Sequence, residues 1–235
     1  MKTSEGGAAM TVDDRAARSS TRRPREDGAA TRQLLIEVAG ALFAEKGYAA
    51  TASKEITERA GTNIAAVNYH FGSREGLYIA VLEEVDRRLI DLDVLDDVQR
   101  SSQTAAQKLG RVIDTILSGA AERSGWPVTL WAREILNPSP QFAVMLRDGV
   151  MPKFDILGSI VSEITGITDD ATILEGIVAC MAPAILLATI NRGVETPIRG
   201  LYDLPHRRLA DDLTGFALAG LHHLAQTRHA DSGSG

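Results

Sequence analysis

The sequence predicts an all-α protein with a small N-terminal part and a larger C-terminal part. Apolar residues recur at helical spacing in one segment after another, and no segment sustains the alternation of a strand. Glycine and proline separate these segments, for example at Gly47, Gly61, Pro127 and Gly166. The chain of 235 residues provides enough material for one domain or two modest ones.

Composition narrows the class of protein. Hydrophobic residues make up 44% of the chain, which is ordinary for a globular protein. The single cysteine, Cys180, excludes an internal disulfide framework and fits a reducing compartment. The first residues contain no apolar stretch typical of a secretory signal. We therefore expect a cytoplasmic protein.

The net charge of −6 is unevenly distributed. Residues 1–80 contain 11 Lys and Arg against 10 Asp and Glu, whereas residues 81–235 contain 14 against 21. The N-terminal part is therefore close to neutral, and its general affinity for phosphate should be modest. If it binds nucleic acid, it needs specific contacts and two copies of the site.

The N-terminal arm, residues 1–30, has no hydrophobic period and is predicted to be disordered. Its arginines gather toward its end. A solvated tail explains them, and so does an arm that reaches the DNA backbone or minor groove. The sequence leaves both interpretations open for Arg15, Arg18, Arg22, Arg23 and Arg25.

Two helices are predicted next. Residues 31–46 carry apolar side chains at helical spacing, and Gly47 ends this helix. Ser53 is of a type that caps helices, so a short second helix is predicted over 53–60. Gly61 then permits a tight turn.

A third helix over 63–70 and a fourth over 73–94 follow. Asn63 and Ser73 are the predicted capping residues. At 1.5 Å per residue, the fourth helix would be roughly 33 Å long and would connect two domains. The second and third helices with their tight turn form a predicted helix-turn-helix.

The third helix has side chains suited to the major groove of DNA. Ala65 and Ala66 allow a close approach, and their methyl groups can contact a thymine methyl. Asn68 can read a base edge, with adenine as its usual partner. Thr62 and Asn63 lie at the helix start, where exposed N–H groups favour a phosphate.

Further side chains are predicted to hold the DNA backbone. Tyr69 and His70 can donate hydrogen bonds to phosphate oxygens, and Arg74 can make a charge-assisted one. Val67 and Phe71 are predicted to face a small core. The segment is therefore expected to bind double-stranded DNA.

The segment 32–79 resembles the DNA-binding domain of the TetR-type repressor family. The matching elements are Phe43–Gly47, Thr51, Ser53, Ile56, Ala60, Gly61, Val67–Phe71, Ser73–Glu75 and Leu77. The resemblance implies an all-helical homodimer with three N-terminal DNA-binding helices and a C-terminal domain that binds a small molecule. Two residues depart from the family pattern: Thr57 replaces a commoner Ala, and Arg74 replaces the usual Lys.

The resemblance also assigns roles to residues. The positions that read the groove in this family correspond to Ile64, Ala65, Ala66 and Asn68. The positions that hold phosphates correspond to Thr51, Ser53, Tyr69, His70 and Arg74. Further along, Trp131–Glu134 and Asn137–Pro140, followed by an apolar helix, resemble the CecR subgroup, whose members are often tied to efflux or drug tolerance.

The C-terminal part is also predicted to be helical, over 102–122, 127–136, 140–165, 169–192 and 205–228. Residues 171–190 are almost entirely apolar, which fits a membrane span or a buried helix. Glu175, Pro183 and the lack of basic flanks favour burial, so no membrane is expected. This helix and the last one, with its small Gly215 and Gly220, are predicted to form a four-helix dimer interface.

A ligand pocket is predicted among the middle helices, where aromatic and methionine side chains gather. They are Trp126, Trp131, Phe142, Met145, Met151 and Phe154, and an ordinary core explains them as well. Arg133 and Glu134 are candidate polar anchors, or else surface or capping residues. The predicted domains are thus 31–78 for DNA binding and 79–228 for ligand binding and dimerisation, with a disordered tail over 229–235.

The sequence contains no recognisable catalytic or cofactor site. None of the five histidines is spaced with Cys or carboxylates as a zinc site requires, and there is no nucleophile motif or phosphate-binding loop. We therefore expect no enzyme, cofactor or metal. The predicted function is that of a homodimeric repressor that binds a palindromic operator and is released by a small, apolar or drug-like molecule. A small-molecule binding protein without sequence-specific DNA binding is the alternative, and a helical enzyme ranks lower.

Overall fold

The computed structural model describes residues 23–118, 125–190 and 195–232. Within these ranges the chain is helical and contains no strand, as the sequence predicts. The four N-terminal helices are α1 (Arg23–Lys46), α2 (Ser53–Arg59), α3 (Ile64–Phe71) and α4 (Arg74–Leu89).

Seven α-helices of the described chain follow. They are α5 (Leu92–Arg100), α6 (Ala105–Ser118), α7 (Trp126–Leu136), α8 (Pro140–Met145), α9 (Met151–Thr165), α10 (Asp170–Thr189) and α11 (His206–Ser232). A π-helical turn, Leu146–Val150, joins α8 to α9, and a 3₁₀ helix, Arg199–Asp203, precedes α11.

The predicted disorder at both ends is wrong in part. Helix α1 begins at Arg23, so residues 23–30 of the predicted arm are helical, and Thr31 donates a hydrogen bond to the carbonyl of Asp27. Helix α11 continues to Ser232, into the predicted tail. Residues 1–22, including Arg15, Arg18 and Arg22, lie outside the described residues.

The predicted helix over 73–94 is wrong in length. Helix α4 ends at Leu89 because Ile90 is extended, with φ −156° and ψ 120°. The Asp91 carboxylate then accepts a hydrogen bond from the Asp93 N–H at 3.0 Å and starts α5, a helix that the sequence analysis did not predict. The connection between the two parts of the molecule is therefore a bend.

The predicted helix over 140–165 is also interrupted. The π-helical turn at Leu146–Val150 ends just before Pro152, which lies in the first turn of α9. Proline has no N–H to donate and its ring crowds the preceding turn, so a regular α-helix cannot continue unchanged through this position. A widened turn is one arrangement that accommodates it.

Two hydrophobic cores hold the fold together. The first joins α1–α4 to α7 and α8, and includes Phe43, Val81, Leu130 and Phe142. The second joins α5, α6, α9, α10 and α11. Helices α7 and α8 therefore pack with the N-terminal helices, although they follow the predicted domain boundary at residue 78.

Helix α10 is the most apolar helix of the described chain. By length and composition alone, Asp170–Thr189 could cross a membrane. In the structure it packs against α6, α9 and α11 and buries Ile177, Cys180, Met181 and Ala184 in the second core. This packing accounts for the apolar side chains on the inner side of the helix.

Candidate nucleic-acid interface and apolar cavity

The turn between α2 and α3 is built as the sequence predicts. Gly61 has φ +63°, a left-handed conformation that favours glycine. The Asn63 side-chain oxygen accepts a hydrogen bond from the Ala66 N–H at 3.1 Å and so caps α3. The Ser73 hydroxyl does the same for α4 by accepting from the Gly76 N–H at 3.0 Å. These caps fix α3 as a short, separate helix.

Helix α3 has one exposed side and one buried side. Val67 is buried in the N-terminal core. Ile64, Ala65 and Asn68 are exposed, and 84% of Tyr69 is accessible to solvent. Three of the four residues predicted to read bases, Ile64, Ala65 and Asn68, are therefore exposed on the outer side of the helix.

The remaining predicted residues of α3 lie at its edges. Ala66 and His70 are half-buried. Arg32 of α1 places its guanidinium carbon 5.3 Å from the ring centre of Phe71, and a Cβ on Gly28 would lie 3.9 Å from His70 Cε1. The first turns of α1 thus run alongside the end of α3.

Two predicted phosphate-binding residues are placed differently from expectation. Thr51 is fully buried, and its hydroxyl donates to the carbonyl of Gly47 at 2.8 Å. Its side chain is therefore not available to DNA. Ser53 does not cap α2, because Ala52 holds the capping position without any side-chain hydrogen bond. Ser53 is the first helical residue and is half-buried.

Arg74 has structural partners in the loop after α1. Its Nη1 donates to the carbonyls of Thr51 at 2.6 Å and Tyr48 at 3.3 Å, and its guanidinium carbon lies 4.2 Å from the Tyr48 ring centre. The start of α4 is thereby tied to the loop after α1. This arrangement gives Arg74 a structural role in addition to the predicted contact with phosphate, which stays a prediction.

Thr62 lies inside the turn. Its hydroxyl oxygen is buried and has no hydrogen-bond partner among the described residues, and its N–H donates to the carbonyl of Thr57 at 2.9 Å. The side chain does not face outward with Asn68 and Tyr69. Thr57, the departure from the family pattern, is buried and donates to the carbonyl of Lys54.

An apolar cavity of about 190 Å³ lies where the two cores meet. Its walls come from the end of α4, from α6, α7, α9 and α10, and from the π-helical turn. Of the eight predicted ligand-binding residues, only Trp131 and Phe154 line it. The lining side chains are Asp86, Leu89, Ile90, Val112, Ile116, Trp131, Val150, Lys153, Phe154, Leu157, Ile177, Val178, Met181, Ala182 and Ile185.

A buried ion pair forms the polar part of this cavity. Lys153 Nζ lies 2.7 Å from Asp86 Oδ1, and the two side chains are only 6% and 13% exposed. Lys153 also donates to the Asp86 carbonyl at 3.1 Å. Burial raises the pKa of Asp86, and the neighbouring ammonium only partly opposes this rise. Sequence analysis missed both residues, although Lys153 is a single cation within an apolar segment.

Three of the predicted ligand-binding residues instead join α7 to the N-terminal helices. The Trp126 indole N–H donates to Glu37 at 2.8 Å, and Arg133 donates to the Ala44 carbonyl at 3.1 Å. Glu134 is buried and accepts from the Tyr78 hydroxyl. Because burial disfavours the phenolate and the hydrogen bond to Glu134 favours the protonated hydroxyl, the pKa of Tyr78 is raised.

The contacts of Glu134 are completed by Ser139, whose N–H and hydroxyl both donate to it, at 2.9 Å and 2.8 Å. The ring of Trp126 lies so close to Gly40 that a Cβ there would be 2.5 Å from it. The prediction that Trp126, Arg133 and Glu134 line a ligand pocket is therefore wrong, because their polar atoms are used between helices.

The last three predicted residues also lie away from the cavity. Phe142 and Met145 are buried in the N-terminal core, where the Phe142 ring meets Trp131 edge-on at 5.5 Å. Met151 is 54% exposed. No group of three His, Cys, Asp or Glu residues that could hold a metal ion occurs in the part of the chain that the structure describes.

Comparison with protein families gives two matches, one near the N-terminus and one in the C-terminal part of the chain. Residues 35–81 match the family described as bacterial regulatory proteins, tetR family. Residues 105–221 match the C-terminal domain of the HTH-type transcriptional dual regulator CecR.

Individual relatives are regulators as well. The chain is 49% identical over 53 residues to the dual regulator CecR of Shigella flexneri, a match covering 23% of each chain. It is 31% identical over 131 residues to the transcriptional repressor Rv3405c of Mycobacterium tuberculosis, covering 56% of this chain and 63% of that one. Each match thus spans less than two thirds of the relative.

Solved structures show the same fold. The TetR family regulator PfmR from Thermus thermophilus superimposes with a TM-score of 0.57 at 19% identity, over 79% of this chain and 97% of that one. A tetR-family regulatory protein from Rhodococcus RHA1 superimposes with a TM-score of 0.61 at 18% identity, over 80% of this chain and 95% of that one. These relatives are regulators and not enzymes, and the chain belongs to the TetR family of bacterial regulatory proteins, with a CecR-like C-terminal domain.

Proposed function

We propose that the protein is a DNA-binding transcriptional regulator of the cytoplasm that reads the major groove with α3. The observation that carries this proposal is the outer side of α3, where Ile64, Ala65 and Asn68 are exposed while Val67 anchors the helix in the core. Small side chains allow close approach to base edges, and an amide can make two hydrogen bonds to adenine.

The edges of α3 supply groups for the DNA backbone. Tyr69 is 84% exposed and His70 half-buried, so both can donate to phosphate oxygens on one side of the groove. Asn63 and Ser53 lie near the helix starts and add further polar groups. Cations near α3 are largely paired: Lys46 with Glu55, Lys54 with Glu58 at 3.8 Å and Arg59 with Glu45 at 3.9 Å. Affinity should therefore depend on two copies acting together.

The second copy is proposed to dock on α10 and α11. These helices leave large apolar side chains exposed: Leu174 at 49%, Val178 at 53%, Leu186 at 56% and Phe216 at 74%. Large exposed apolar side chains on two adjacent helices are typical of an interaction surface. A homodimer about a two-fold axis would present two α3 helices to a palindrome whose half-sites are roughly 34–36 Å apart.

Ligand response is proposed to arise in the cavity between the two cores. Its walls include Asp86, Leu89 and Ile90 at the end of α4, and α4 begins shortly after α3 ends. A small apolar molecule that prefers a different position of α4 would change the spacing of the two α3 helices and release the operator. Such a ligand can shift the equilibrium only by its difference in affinity for the two states.

The proposal is tested by titrating the purified protein with a duplex from its own promoter. Sequence-specific binding to this duplex supports the regulator. A protein that binds small molecules but shows no preference among DNA duplexes would instead be the alternative, a ligand-binding protein. The Asn68→Ala variant should lose about 1–3 kcal/mol of discrimination at one position of each half-site. Glu163→Ala, at an exposed position on α9 outside both α3 and the proposed dimer surface, is the control and should bind as the unaltered protein does.

A further inference from the structure

The ion pair in the cavity leaves one hydrogen-bond donor unused. A lysine ammonium has three N–H groups. Within the described parts of the chain, Lys153 directs two of them to Asp86, at its carboxylate and its carbonyl. The ammonium is desolvated, because only 6% of the Lys153 side chain is exposed. A ligand that reaches this wall therefore meets a buried cation with a free donor.

One oxygen of the Asp86 carboxylate lies close to the π-helical turn, although the Asp86 side chain is slightly more exposed than that of Lys153, at 13% against 6%. A Cβ built on Gly149 would lie 2.9 Å from Asp86 Oδ2, so the backbone of the π-helical turn covers the oxygen that Lys153 does not hold. A cationic ligand would have to compete with Lys153 and displace this turn. An anionic ligand can bind the remaining N–H and then shares the ammonium with Asp86, and a charge-assisted hydrogen bond is stronger than one between neutral groups.

The rest of the cavity limits the size and nature of the ligand. Leu89, Ile116, Trp131 and Phe154 provide apolar walls around about 190 Å³. An apolar cavity of about 150 Å³ holds benzene, so this one suits a body of about one to two rings. We propose that the cavity binds a small aromatic or alicyclic carboxylate, with its ring on these side chains and its carboxylate on Lys153. This inference rests on the proposed function, because it assigns the effector of the regulator.

Such a ligand would act directly on the helix that leads to α3. Asp86 lies in the last turn of α4, and its only ion-pair partner among the described residues is Lys153 of α9. A ligand carboxylate competes with Asp86 for the same ammonium. Binding therefore loosens the contact that ties the end of α4 to α9.

The test is calorimetric titration of the full chain, without DNA, with three probes of the same bicyclic body: 2-naphthoate, 2-naphthamide and 2-naphthylmethylammonium. We expect the carboxylate to bind at least about tenfold more tightly than the amide. Lys153→Met should remove this preference. Asp86→Asn should increase it, because no carboxylate then competes for Lys153.

A paired variant controls for folding. Lys153→Met alone leaves Asp86 buried and unpaired, whereas Asp86→Asn combined with Lys153→Met removes both charges of this pair. The double variant should bind 2-naphthamide as the unaltered protein does and show no preference for the carboxylate. The inference is overturned by equal affinities for carboxylate and amide, by preference for the ammonium, by no binding of any probe, or by a preference that survives without Lys153.

Failure of this inference and failure of the proposed function give different results. A protein that prefers 2-naphthoate but binds no specific duplex contradicts the regulator and supports the ligand assignment. A protein that binds its promoter specifically but treats carboxylate and amide alike supports the regulator and contradicts the ligand assignment.

Discussion

Replacing Arg74 by alanine should destabilise the fold instead of merely weakening its grip on DNA. The guanidinium donates to the carbonyls of Thr51 and Tyr48 and stacks on the Tyr48 ring. Hydrogen bonds from a charged donor contribute about 1.5–3 kcal/mol, and the 3.3 Å bond to Tyr48 contributes less than the 2.6 Å bond to Thr51. Stacking at a half-exposed site adds about 0.5–1 kcal/mol.

After allowance for the half-exposed position, we expect Arg74→Ala to lower the free energy of unfolding by about 2–3 kcal/mol. Arg74→Lys should give an intermediate loss, because an ammonium can reach a carbonyl but cannot stack as a planar guanidinium does. Urea unfolding followed by circular dichroism measures both losses. Arg208→Ala is the control, because this arginine forms only an exposed pair with Asp212 at 3.7 Å.

DNA titrations over a range of salt separate this account from the sequence-based prediction. If Arg74 bound a phosphate, its removal would reduce the slope of log affinity against log salt by about one. We expect instead an unchanged slope for the folded fraction. An unchanged urea midpoint together with a reduced slope would refute the structural role of Arg74.

Three further changes test other contacts. Gly76→Ala should destabilise the fold by about 1–3 kcal/mol, because a Cβ would lie 2.1 Å from the Phe71 carbonyl oxygen, whereas Gly200→Ala has open space and should be tolerated in the same urea assay. Burial alone would raise the pKa of Glu84, but hydrogen bonds from two neighbouring arginines outweigh it and lower the pKa below the usual 4.5. The ionised Glu84 therefore contributes its full stabilisation above about pH 4.5, and this contribution is lost as pH falls through the lowered pKa. In Glu84→Gln, the free energy of unfolding should fall less steeply with decreasing pH over this acid range. Phe216→Asp should give monomers in sedimentation experiments, and a dimer that persists at micromolar concentration would exclude the proposed interface.

The helix-turn-helix could be predicted from the sequence because its signals are local. Capping by Asn63 and Ser73 and the turn at Gly61 depend on residues within three or four positions. The exposed side of α3 follows from the same periodicity. Helix class and most helix positions in the C-terminal part followed from apolar spacing in the same way.

The partners of long side chains could not be predicted, because they are decided by tertiary packing. Arg74 lies at an exposed helix start in the sequence, yet it reaches carbonyls 23 and 26 positions earlier. Arg133 and Glu134 meet residues 89 and 56 positions away. The spacing of apolar residues along the chain does not reveal contacts between residues so far apart in sequence. The assignment of Arg133 and Glu134 to a ligand pocket was therefore wrong.

The cavity was predicted in the right region but with the wrong lining. Aromatic residues marked the middle helices, whereas the walls also come from α4, α6 and α10. Asp86 and Lys153 lie 67 positions apart, so nothing local pairs them. The bend at Ile90 could have been predicted from Asp91, which is a residue type that caps helices. The apolar spacing continues to residue 94, however, and this favoured one uninterrupted helix.

The central claim, that α3 reads DNA bases, is tested most directly by selecting bound duplexes from a random pool with the unaltered protein and with Asn68→Ala. We expect the unaltered protein to select a palindrome with half-sites about 10–10.5 base pairs apart, or a multiple of that spacing. The variant should select the same palindrome with one position of each half-site relaxed. Identical selections from both proteins, or no enrichment by the unaltered protein, would contradict the claim.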